Sequence, residues 1–161
     1  MLDAHDRLPL PQDIERFLRG MLDELAPGRV SLTVDQFSQQ EQTSFGVKPR
    51  NPAAAAMGFT VADDGAQISV RLGKVVEFDI EPPDGTYTDR GAIRELKSIV
   101  TSTVRGRFQE SVWRHGDEIV KVHGRLVIDD GIREIGSYTN FIGWLRSMGR
   151  AIRTDYAYEP Y

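Results

Sequence analysis

The sequence predicts an α+β fold: one domain, a largely antiparallel sheet of about seven strands, and three helices packed on it. Three observations carry this expectation. Apolar residues recur at helical spacing in two well-separated stretches. Between and after them lie blocks of alternating residues joined by tight turns, so hairpins dominate and a parallel βαβ sheet is disfavoured. The chain of 161 residues is long enough to bury a core as a single domain.

Pro9 and Pro11 end an N-terminal arm, residues 1–10. A helix follows from about Pro11 to Ala26, with Ile14, Phe17, Leu18, Met21, Leu22 and Leu25 forming one apolar stripe. Asp13 and Glu15 favour its first turn through the helix dipole, and Pro27-Gly28 stops it. Val30, Leu32 and Val34 then alternate with polar residues, as a half-buried strand does. Residues 38–55 are rich in Gln and contain Pro49 and Pro52, which reads as a long polar loop bearing Lys48 and Arg50.

A meander comes next. A two-residue turn at Asp64-Gly65 would oppose Val61 to Ile68, Phe59 to Val70 and Met57 to Leu72, every pair apolar. A three-residue loop at Gly73–Val75 would then oppose Leu72 to Val76 and Val70 to Phe78. Thr88 or Asp89 caps a second helix, about Arg90 to Thr103, which buries Ile93, Leu96, Ile99, Val100 and Val104. A three-stranded ribbon runs from Gly106 to Thr139, with turns at Gly116-Asp117 and Asp130-Gly131. Asn140 caps a last helix, Phe141 to about Arg153, expected to dock Phe141, Leu145, Met148 and Ile152 on the sheet. Residues 154–161 form a tyrosine-rich tail.

Composition excludes several classes. There is no cysteine, hence no disulfide framework, thiolate metal site or cysteine nucleophile, and a reducing cytoplasm is the expected compartment. The arm carries Asp3 and Asp6 and does not read as a signal peptide. The longest apolar run is Ala53 to Met57, far short of the ~20 residues that span a bilayer. No P-loop, nucleophile-elbow or zinc-helix motif occurs, and no cofactor or metal is expected. The paired aspartates at 63–64 and 129–130 are turn residues in this reading. Residues 1–89 hold 8 Lys/Arg against 15 Asp/Glu, while residues 90–161 hold 12 against 9. An acidic chain gives no specific nucleic-acid signal, though its basic half has room for a local patch.

The ribbon supplies the one candidate constellation. Two-residue turns would place Glu110, His123 and Tyr138 in a single row, with Lys121, Arg125 and Arg114 on the same face and Trp113 on the core side. A carboxylate beside an imidazole, with cations to stabilise an anion, is acid–base machinery that needs no metal. In residue type alone Glu110, His123, Arg125 and Tyr138 are similar to the sites of small sheet-face ribonucleases. Ordinary cross-strand ion pairing is the favoured explanation of the same residues.

The leading expectation is a small cytosolic protein that binds another protein, of the immunity or antitoxin kind that blocks a basic partner. Its contact residues would be Glu77, Asp79, Glu81 and Asp84 on an acidic rim, with Lys48 and Arg50 in the long loop. The alternatives are the ribonuclease-like enzyme above and a small-ligand pocket using Trp113 and Trp144.

Overall fold

The computed structural model describes residues 10–63, 67–80, 89–129, 131–147 and 150–161. The fold is α+β, and its strands divide between two antiparallel sheets instead of forming one sheet of seven. The first sheet has the order β1-β2-β3-β4-β5: β1 Val30–Phe37, β2 Gln42–Pro49, β3 Met57–Ala62, β4 Ile68–Leu72 and β5 Val76–Asp79. The second has the order β8-β7-β6-β9: β6 Phe108–His115, β7 Glu118–Ile128, β8 Gly131–Thr139 and β9 Ile152–Ala157. The helices are α1 Pro11–Leu25, α2 Asp89–Val104 and α3 Phe141–Ser147. The split falls where α2 intervenes between β5 and β6, so β6 starts a new ladder and β5 packs against β8 without pairing to it.

α1 forms as its stripe dictates. Pro11 occupies the first turn, where its missing N–H costs nothing, and Ile14, Leu18, Met21 and Leu22 are buried. β3, β4 and β5 adopt the registers read from the sequence, with Phe59 opposite Val70, Val61 opposite Ile68 and Leu72 opposite Val76. The Asp64-Gly65 turn and the Thr88 cap lie outside the described residues. One continuous core joins α1, α2 and both sheets, including Leu18, Phe45, Phe59, Leu96, Ile99, Phe108 and Leu126.

Two expected irregular stretches are strands. Residues 38–55 do not form a long loop: 42–49 are β2, paired on both sides, with Thr43, Phe45 and Val47 buried. Only two large apolar residues mark that buried face, so the pattern was too thin to read against the surrounding Gln and Pro. The tyrosine-rich tail, residues 154–161, lies along its own domain. β9 pairs with β6, Glu159 bridges to Ala54, and the buried Tyr161 donates its hydroxyl to the Ala55 carbonyl. The last helix is described over Phe141–Ser147, and Ile152 and Arg153, expected inside it, belong to β9.

Candidate functional site

The four-stranded sheet carries its polar chemistry on the face turned away from the core, and two bulges decide which residues stand there. After the Gly116-Asp117 turn, His115 faces Glu118 and Arg114 faces Ile119, as expected. The register then shifts, because β7 spends Val120 as an extra residue and Trp113 meets Lys121. From there Ser111 opposes His123 and Glu110 opposes Gly124. The expected pairing of Glu110 with His123 is therefore wrong by one residue, and one residue moves a side chain to the other face.

Glu110 points into the core and is only 1% exposed. Its carboxylate accepts the Lys74 N–H at 2.8 Å, the Val75 N–H at 3.2 Å and the Tyr158 hydroxyl. It is a clamp between the β4–β5 turn, β6 and the segment after β9. Burial, followed by the hydrogen bond to Glu110, raises the Tyr158 hydroxyl well above the ordinary tyrosine range.

The next hairpin corrects the second expectation. Ile128 faces Gly131, two positions from the pairing expected of an Asp130-Gly131 turn; Asp130 itself lies outside the described residues. A further shift lies between Val122 and Gly124, where Gly136 and Ser137 stand opposite His123 alone. Tyr138 consequently faces Val122 and shares the face opposite to His123. Trp113, expected in the core, stands on the outer face, and Arg114 alternates away from it. Of the four expected site residues, only His123 and Arg125 remain together.

The residues that join them came from strands the sequence did not reveal in the correct frame. Across the outer face run three rows of direct neighbours: Gln109, Arg125 and Glu134; Asp155, Ser111 and His123; Arg153, Trp113 and Lys121. All of them except Lys121 border an open cleft of about 480 Å³. His123 Nε2 is in direct contact with the Glu134 carboxylate, and Arg125 stands 3.8 Å from the same carboxylate. The Ser111 hydroxyl donates to Asp155 at 2.6 Å and accepts from Arg153 Nη2 at 3.3 Å, so it is held and not a free nucleophile. That bond, with Arg153 beside it, keeps the Asp155 carboxyl below the usual carboxylate range. Arg153 and Lys121 lie 5.1 Å and 4.8 Å from the Trp113 ring centroid. Among the described residues no three His, Asp or Glu come together to hold a metal ion.

Beside this face sits α3, packed inside out. Asn140 caps it through the Gly143 N–H at 3.0 Å and donates to Glu118 at 2.8 Å, which fastens the helix to the β6–β7 turn. Gly143 and Ser147 are its buried positions. Trp144 turns toward the sheet, where Lys121 lies 5.7 Å from its ring. The large apolar residues Phe141, Ile142 and Leu145 are 67%, 63% and 48% exposed, joined by Ile152 at 73%. The expectation that Phe141, Leu145 and Ile152 dock on the sheet is overturned; Met148 lies outside the described residues. Small residues permit the close approach, so the large ones were left facing water.

The expected contact residues are scattered. Glu77 pairs with Arg71 at 3.3 Å, and Asp79 accepts the Ser69 hydroxyl, while Glu81 and Asp84 lie outside the described residues. Lys48 and Arg50 are exposed at the end of β2, on the other sheet from His123. Compared with known proteins, the chain matches no family model, no curated protein and no solved structure. No helix among the described residues is long and apolar enough to cross a membrane.

Proposed function

We propose that this is a protein-binding protein whose contact surface is the outward arc of α3 and the adjoining aromatic part of the outer face of the four-stranded sheet. One observation carries the reading: a short helix buries its Gly and Ser and exposes Phe141, Ile142 and Leu145. Clustered apolar side chains facing water mark an interface more often than a fold element, because their exposure costs stability with no gain inside the chain. Trp113, Trp144, Lys121 and Arg153 beside them give the aromatic and arginine-rich composition of binding hot spots. Lys121 lies against both tryptophan rings, and α3 carries the exposed Arg146. The fitting partner is a protein with an apolar groove bordered by carboxylates.

An immunity-type inhibitor is a protein of this general kind. The form that blocks a basic partner through Glu77 and Asp79 has less support, since Arg71 and Ser69 already engage those carboxylates. The test places a photo-crosslinking side chain at Ile142 and recovers the partner from native lysate. The recovered protein is then titrated against purified wild type and Phe141→Asp/Leu145→Asp. Loss of binding by at least about tenfold, with unfolding unchanged, supports the proposal, since central apolar contacts contribute about 1.4 kcal/mol or more. Equal binding by the variant overturns it. A concentration-dependent dimer that the variant loses would make the occupant a second copy instead.

The His123–Glu134 contact favours a second reading, the ribonuclease-like one, with Glu134 taking the place expected of Glu110. Labelled RNA incubated with EDTA decides it: cleavage abolished by His123→Ala supports the reading, and no cleavage removes it.

A further inference from the structure

On the opposite side of the four-stranded sheet, α2 presents a second feature that the contact surface above does not use. Arg94, Lys97 and Thr101 on α2, with Arg105 in the turn that directly continues it, recur at spacings of three and four residues, which places them within an arc of about 80° on one face. All three cations are exposed, and among the described residues none has a carboxylate partner. α1 runs alongside, and the two helices enclose a cleft of about 370 Å³ whose wall on α1 includes Met21 and Glu24. Arg107 closes the far end, held 3.3 Å from Asp129. From Arg94 to Arg105 the row spans about 16 Å of helix.

We propose that this groove binds an extended chain of phosphate groups through its backbone charges. Its lining is rich in donors: the guanidinium and ammonium groups and the hydroxyls of Ser98 and Thr101. Its acceptors are few, because Asp129 is already bonded to Arg107 and Glu24 stands alone. A peptide strand brings its own N–H donors and would leave them without partners here. A phosphate chain offers acceptors only, and arginine meets it with two parallel hydrogen bonds. No aromatic side chain lines the groove, so there is no platform for stacking bases, and recognition is confined to the charged backbone. The concentration of charge is local: the whole chain has net charge −4.

Phosphate chains come from two sources, a nucleic-acid strand and inorganic polyphosphate, and the test separates them. A labelled single-stranded RNA of mixed sequence is titrated by fluorescence anisotropy, and unlabelled inorganic polyphosphate is titrated in parallel by calorimetry. Binding of either supports the groove, and the arm that binds identifies the source. For RNA, three groove cations predict that log K falls by about 2 per decade of salt, near 0.7 for each contact. Lys97→Glu/Arg105→Glu should weaken binding about tenfold or more and flatten that slope. Arg50→Glu, an exposed charge reversal on the other sheet, should change it by less than about twofold. Phe141→Asp should leave it unaltered, so this proposal and the protein-binding reading above fail separately, and the polyphosphate arm stands apart from the ribonuclease-like reading. Absence of binding in both arms at physiological salt overturns it. So does equal binding by the Lys97/Arg105 variant, or equally tight binding of poly-glutamate.

Discussion

The two sheets are built from the same kind of hairpin, but only one of them keeps its register. The five-stranded sheet pairs from β1 to β5 without a shift, and every buried position follows by alternation. The four-stranded sheet shifts twice along β7, once at Val120 and once opposite His123. The cluster of His123, Arg125 and Glu134 stands where that shifting occurs. A regular ladder fixes both faces by parity alone, whereas a bulge re-aims one strand against its neighbour. In this molecule the bulges bring His123 to Glu134 and turn Glu110 inward to a wholly different task.

The sharpest test of that contrast is Glu110. Glu110→Ala would strand two N–H groups and the Tyr158 hydroxyl without an acceptor, at roughly 1–3 kcal/mol each. A loss of at least about 3 kcal/mol in urea unfolding is expected, and a loss under about 1 kcal/mol would remove the clamp. Tyr158→Phe should cost about 1 kcal/mol, and the two substitutions together should cost less than their sum.

The bulge itself can be broken at Gly136. Its φ is +54°, and an added Cβ would lie 2.5 Å from Val76 Cγ1 on β5. Gly116, with φ +61° and nothing within 4 Å of such a Cβ, shares the backbone requirement without the crowding. Gly116→Ala should cost about 1 kcal/mol and Gly136→Ala about 1–3 kcal/mol more, read by thermal unfolding. Equal costs would show that the close approach of the two sheets there carries no energy.

Alkaline pH gives a smaller effect with a definite sign. Burial raises the hydroxyls of both Tyr158 and Tyr161 above the ordinary range, so the folded state holds their protons longer than the unfolded chain. Their contribution is complete below pH about 10 and is lost as pH rises beyond it, because the unfolded tyrosines ionise first. Stability should therefore fall above pH about 10, and Tyr158→Phe should make that fall shallower. The smallest effect is at Asp155, whose carboxyl should titrate by NMR below the usual carboxylate midpoint and move upward in Ser111→Ala.

Much of the regular sheet was legible in advance. Phe59, Val61, Ile68 and Val70 alternate without interruption, and a shift by one residue would expose all of them. β2 was hidden because Phe45 and Val47 are the only large apolar residues on its buried face. β9 was hidden for the opposite reason: five of its six residues are exposed, and the strand shows no alternation at all. Around Val120 the run Ile119-Val120-Lys121-Val122 accepts pairing in either frame, so turn length alone could not settle the register. α3 showed a clear apolar stripe, but periodicity gives the stripe without saying which side meets the protein.

What the sequence determined by itself was local: the extent of α1, the place of α2 in the chain, the β3–β4–β5 registers, and the class α+β. Each follows from propensity, turn chemistry and short-range parity, which act between residues close in the chain. The tertiary structure alone decided the partners of β6 and β7, the burial of Glu110, the company of His123 and the outward face of α3. Those depend on one extra residue in a ladder and on how closely Gly136, Gly143 and Ser147 let distant segments approach. Such contacts are set by packing across long sequence separations, to which a local pattern is blind.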